Sequence, residues 1–150
     1  MSEDFVSAEL NRVLVVLRRS LLQYLGESWP WTDPKHQEVH DRFLQLVGRQ
    51  QTGIERLVET LVARGWIMDF GVFPTEFTDL HYVALDFLLA QTVDNQRAVV
   101  HEFELAIDAC AAEDPAALAL LQHLAAVERD NLDELQAMSR NAPAGGVSAG

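Results

Sequence analysis

The sequence predicts an all-α protein, an antiparallel four-helix bundle with a long crossover between its second and third helices. Three observations carry this. Long segments space their apolar residues by three and four, without the alternation of a strand. Asp-Pro pairs and glycines punctuate those segments as helix starts and stops. The middle connection, "WIMDFGVFPTEF" at 66–77, is broken by Gly71 and Pro74 and is longer than the other links.

The elements follow in order. Ser7 caps a first helix that runs to about Leu25, and Gly26 suits a left-handed stop. The link "ESWPWT" leads to Asp33-Pro34, an N-cap with proline in the first turn, and a second helix reaches Arg64 before Gly65. Thr78 or Asp79 starts a third helix that ends near Ala111. Asp114-Pro115 starts the fourth, which fades after Met138. Residues 1–140 thus form one bundle domain, and the small-residue stretch 141–150 is a flexible tail.

Bulk properties narrow the function classes. A net charge of -12 disfavours nucleic acid and anionic lipid, both of which need a basic surface. Cys110 is the only cysteine, so no internal disulfide and no cysteine-built metal site is expected. The start "MSEDFVSAEL" is acidic where a secretory leader is basic, and no apolar run is long enough to span a membrane. The expected location is cytoplasmic.

Each helix carries an apolar stripe. The first offers Leu10, Val13, Leu14, Leu17, Leu21 and Tyr24. Polar residues interrupt the other three: Gln50 in the second, Gln96 in the third, Glu128 and Asn131 in the fourth. Buried polar groups without partners cost about 1–3 kcal/mol each, so these four are expected to meet at the bundle centre. Glu128 there is either protonated or paired with Arg49 or Arg97 reaching inward.

The stretches "LNRVLVVLRRSLLQYL" (10–25), "GIERLVETLVARG" (53–65), "QRAVVHEFELAI" (96–107) and "ERDNLDEL" (128–135) resemble, in order and spacing, the four helices of the ferritin-like bundles, bacterioferritin in particular. That resemblance implies a centre for two irons, held by a glutamate on the first and third helices and a Glu-x-x-His pair on the second and fourth. Carried over, these positions fall on Leu17, Val47, Gln50, Gln96, Glu128 and Asn131. Only Glu128 keeps its ligand. The remaining residues are apolar or neutral amides, poor ligands for a hard metal ion.

The expected protein is therefore a non-catalytic ferritin-like bundle without a diiron centre, needing no metal or cofactor and acting as a binding or scaffold protein. The alternative is a metal-binding or iron-oxidising protein with a site relocated around Glu128. A third reading places an apolar ligand between the helices where the metals would sit. Val15, Val16 and Leu22 form a second apolar line on the first helix, which in ferritin-like relatives faces another subunit; a homodimer is expected, with a protein partner as a further option. Trp29, Trp31, Trp66, Phe70, Phe73 and Phe77 cluster in the two connections and either cap the bundle ends or form a docking surface. His36 and His40, one turn apart, read as solvated polar residues in preference to a metal pair, and the same holds for His101 on its polar face; His81 reads as packing, and His123 suggests nothing special.

Overall fold

The computed structural model describes residues 2–29, 34–73, 77, 84–110 and 114–141. It is a helical bundle of α1 (Ser2–Arg18), α2 (Leu21–Glu27), α3 (Gln37–Ala63), α4 (Leu85–Cys110) and α5 (Pro115–Asn141), with a 3-10 turn at Pro34–His36 before α3. Among the described residues no helix is long and apolar enough to cross a membrane. Thr78, Asp79, His81, Trp31, Asp33, Ala111 and the segment 142–150 lie outside the described residues.

The expected first helix is two helices. Ser7 caps nothing; it is buried inside α1, which already starts at Ser2. The helix breaks at Arg19 and Ser20, and Ser20 becomes the N-cap of α2, its hydroxyl accepting from the Gln23 N–H at 3.3 Å. Asn95 on α4 supports the break, because its Oδ1 accepts the freed Leu21 N–H at 3.0 Å. Gly26 is no stop either: it lies within α2 and keeps an ordinary φ. Its role is close approach, since a Cβ there would sit 2.9 Å from Val47 Cγ1 on α3.

Gly65 does end α3 as expected. It takes a φ of 68°, and its N–H bonds Val62 O while Trp66 N–H bonds Leu61 O, both at 3.0 Å. This pair of bonds satisfies two carbonyls that the helix end leaves open. Asp114 caps α5 through the Ala117 N–H at 3.1 Å. The Arg64 guanidinium and that N–H hold the Asp114 carboxyl below its usual range.

Cross-helix contacts show the directions of the helices. Arg12 pairs with Glu102 and the Leu21 N–H bonds Asn95, so α1 and the α2 that follows it run antiparallel to α4. Arg49 pairs with Glu134 and Arg64 with Asp114, so α3 and α5 run antiparallel too. Gln50 and Gln96 bond at the same level of the bundle. From there α3 continues 13 residues to Ala63 and α4 begins 11 residues earlier at Leu85, so the crossover must return over about 36 Å.

The crossover is tied down on its way. Asn11 Nδ2 donates to Asp69 O at 2.9 Å and Asn11 Oδ1 accepts the Asp69 N–H at 3.0 Å, two bonds to one peptide segment. Gly71 then passes over α1 with a φ of 70°, so near that a Cβ would meet Val15 Cγ1 at 2.7 Å. Phe70 lies under the Arg18 guanidinium, 5.5 Å from ring centroid to cation. The second apolar line of the first helix is thus partly covered from within the chain: Leu22 is buried, Val15 and Val16 are half-buried, and the crossover lies over Val15.

Apolar packing falls into two clusters. One joins Leu10, Leu14, Leu17, Leu57, Leu61 and Phe103 with the start of α5. The other joins Leu21, Leu25, Phe43, Leu46, Leu88 and Leu135. Cys110 belongs to the first, and burial pushes its thiol up.

Replacing Asn11 with Ala removes both bonds that hold the crossover, and the expected loss is about 1–3 kcal/mol of unfolding free energy. Gly71→Ala is expected to destabilise as well, through its backbone conformation and the contact with Val15. Urea unfolding midpoints equal to that of the parent protein would show that the crossover is held in some other way.

Candidate functional site

Between the two apolar clusters lies a polar layer, built from every long helix after the break in α1. Gln50, Gln96, Glu128 and Asn131 are all at most 2 % exposed. The Gln50 Nε2 donates to Glu128 Oε1 at 2.7 Å and to Gln96 Oε1 at 3.3 Å. The Gln96 Nε2 donates to the same Glu128 Oε1 at 2.8 Å and to the Glu128 carbonyl at 2.9 Å. One carboxylate oxygen therefore receives both amides, and α3, α4 and α5 are joined through it.

Two members come from residues to which the sequence reading gave no place in the layer. Gln23 on α2 is buried, and its Nε2 donates to Gln50 Oε1 at 2.9 Å and to Val47 O at 3.2 Å. Ser20, also buried, sends its hydroxyl toward Gln50 Oε1 at 3.5 Å. A signal existed: Ser20 and Gln23 form the Ser-x-x-Gln pattern of a capping box. Half of that box is made, and the glutamine side chain that would return to the cap turns inward to Gln50 instead.

Asn131 stands at the edge of the layer. Its Oδ1 accepts from Arg49 Nη1 at 3.4 Å, and Arg49 is held outside by Glu134. Asn131 Nδ2 is buried and completes no hydrogen bond of ordinary geometry. Neither expected cation reaches Glu128: Arg49 stops at Asn131, and Arg97 pairs with Asp94 on the exposed side of α4. Burial pushes the Glu128 carboxyl up from the ordinary 4.5, and the amides of Gln96, Gln50 and Asn131 pull it partly back. Desolvation of an isolated charge outweighs the neutral amides around it here.

The six positions carried over from the resemblance occupy this level of the bundle or border it. Leu17 and Val47 are buried in the flanking apolar clusters, and the other four form the layer. Among the described residues, no three His, Cys, Asp or Glu side chains are gathered as a metal ion would need. His36 and His40 form no such group; His40 stacks on Trp29, with centroids 4.8 Å apart and planes 5° from parallel.

The aromatic residues divide between the two ends. Trp29 also tilts against Phe43, and Tyr24 meets Phe73 edge-on at 5.2 Å and Phe77 at 5.5 Å. Trp66 packs against the opposite apolar cluster. Phe70 is 40 % exposed, with Ile67 and Val72 of the same crossover at 94 % and 81 %.

Four long helical segments, a crossover that spans the bundle and a mid-helix polar layer define the architecture of a ferritin-like protein. The chain belongs to the ferritin-like domain family, whose model matches residues 7–144. No curated protein and no solved structure matches it significantly.

The raised carboxyl gives a pH dependence with a defined sign. Its protonated form is favoured in the folded state, so the layer's contribution is complete below the ordinary glutamate value and is lost as pH rises through the raised one. Glu128→Gln keeps an acceptor for Gln50 and Gln96 and cannot ionise. The variant is expected to match the parent protein at acidic pH and to be the more stable of the two at higher pH. Thermal unfolding across the pH range checks this, and a variant that loses stability relative to the parent as pH rises would mean that the ionised carboxylate is the favoured form.

Proposed function

We propose that this ferritin-like bundle has lost the diiron centre and acts without catalysis, as a dimeric binding or scaffold protein. The observation that carries the reading is the occupation of Glu128 Oε1 by two glutamine amides. Two iron ions need several anionic oxygens to offset their charge, and the centre offers one carboxyl that burial disposes toward neutrality. The donor set does not fit the pair of metals. Leu17 and Val47 supply no ligand atom, and the amides of Gln23, Gln50 and Gln96 are engaged with one another.

A site relocated around Glu128 is the alternative in which metal chemistry is kept. It lacks support from the geometry, because the nearby acids Asp130, Asp133 and Glu134 border an outward groove with Arg49 and do not converge with Glu128 on one point. The dimer rests on a different surface from the line of Val15 and Val16. Ile67, Phe70 and Val72 expose apolar side chains along the crossover, and this segment is the proposed contact with a second copy.

Untagged protein incubated with ferrous iron in air is expected to oxidise it no faster than buffer and to retain no stoichiometric iron. Uptake of a pair of irons per chain with accelerated oxidation would overturn the reading. Sedimentation velocity is expected to show a dimer that Phe70→Glu with Val72→Glu converts to monomer; a parent protein that sediments as a monomer would remove the dimer from the proposal.

A further inference from the structure

A cleft of about 710 Å³ opens between α1, α4 and the crossover, outside the polar layer and independent of whether iron binds there. Its volume falls in the range of small-molecule sites. Val15, Val16, Trp66, Phe77 and Val99 form its apolar walls.

The polar groups of the cleft are sorted along its length. Asn11, Arg12, Asp69 and Glu102 line one end, where their bonding is largely internal. Arg12 is held by Glu9 and Glu102, Asn11 is spent on the Asp69 backbone, and Asp69 Oδ1 accepts the Gly71 N–H. Arg19, Ser20 and Asn95 line the other end. Asn95 Oδ1 is taken by Leu21 N–H, and among the described residues its Nδ2 has no partner. Among the described residues the Arg19 guanidinium has neither a hydrogen bond nor an ion pair, in a chain with a net charge of -12. The unspent groups at this end are thus donors, one of them charged. Asn11 and Arg19 are eight residues apart on one helix and its break, about 12 Å.

We propose that this cleft binds an amphipathic monoanion, an aliphatic carboxylate of medium chain length, with the anion at Arg19 and Asn95 and the chain along Val15 and Val16. The carboxylates of Asp69 and Glu102 at the far end oppose the reverse orientation. A charged head at Arg19 adds a charge-assisted hydrogen bond that a neutral head cannot make to the same extent.

Titration calorimetry of the full chain with decanoate, and with decanol as the neutral control, tests this. Saturable binding of one decanoate per chain is expected, tighter than that of decanol. Arg19→Gln is expected to weaken decanoate at least about fivefold while leaving decanol unchanged, as the loss of one exposed charged donor implies. Val62→Ser, on the exposed side of α3 and outside the cleft, is expected to leave decanoate binding as it was. Absence of saturable binding, equal affinity for decanol, or insensitivity to Arg19→Gln would each overturn the proposal. So would loss of binding in Val62→Ser, which would show decanoate adsorbing to exposed apolar side chains outside the cleft.

Discussion

A carboxyl group buried in the middle of a helical bundle obliges its neighbours to supply donors, and Glu128 draws them from two other helices. Gln50 and Gln96 converge on one oxygen, and Gln23 then satisfies the oxygen that Gln50 presents on its other side. The contacts form a chain from α2 to α3, from α3 to α4, and from both to α5. Slipping any one helix by a turn would strand an amide in apolar surroundings, at a cost of about 1–3 kcal/mol for each unsatisfied group. Apolar side chains tolerate such slips far better. The layer therefore selects the register of the bundle even where it adds little to its stability, as polar residues in coiled-coil cores do.

The break in the first helix follows from the same requirement. A continuous helix from Ser2 to Glu27 would carry Gln23 on a path set by α1. Capping by Ser20 and by Asn95 restarts the helix, and the side chain of Gln23 reaches both Val47 O and Gln50. The short α2 can then press against α3 where Gly26 has no Cβ to meet Val47. Local chemistry that looks like a helix end serves the packing of the layer.

The helical class, the crossover, the stop at Gly65 and the cap at Asp114 were legible because each depends on a few adjacent residues. So was the convergence of Gln50, Gln96 and Glu128, because polar residues within apolar stripes need one another. The break at Ser20 was less visible: ten apolar residues among 10–25 keep a helical spacing across it, and the supporting acceptor, Asn95, is 74 residues away from Leu21. Gly26 was misread because glycine serves both left-handed turns and close approach, and the sequence does not separate the two uses. The covering of Val15 could not be read from helix one, since it depends on the crossover being pinned by Asn11.

With the apolar core divided into two clusters, local opening need not cost the same at the two ends of the bundle. A polar layer conducts little of the cooperativity that close-packed methyl groups share, so each side can relax with the other intact. The side beyond Ser20 relies on a helix of seven residues, which is too short to hold itself without tertiary contacts. The side before it keeps the long part of α1, the clamp at Asn11 and the capped ends of α3 and α5. On these contacts, local opening is expected to cost less at the end held by α2 than at the end held by the Asn11 clamp.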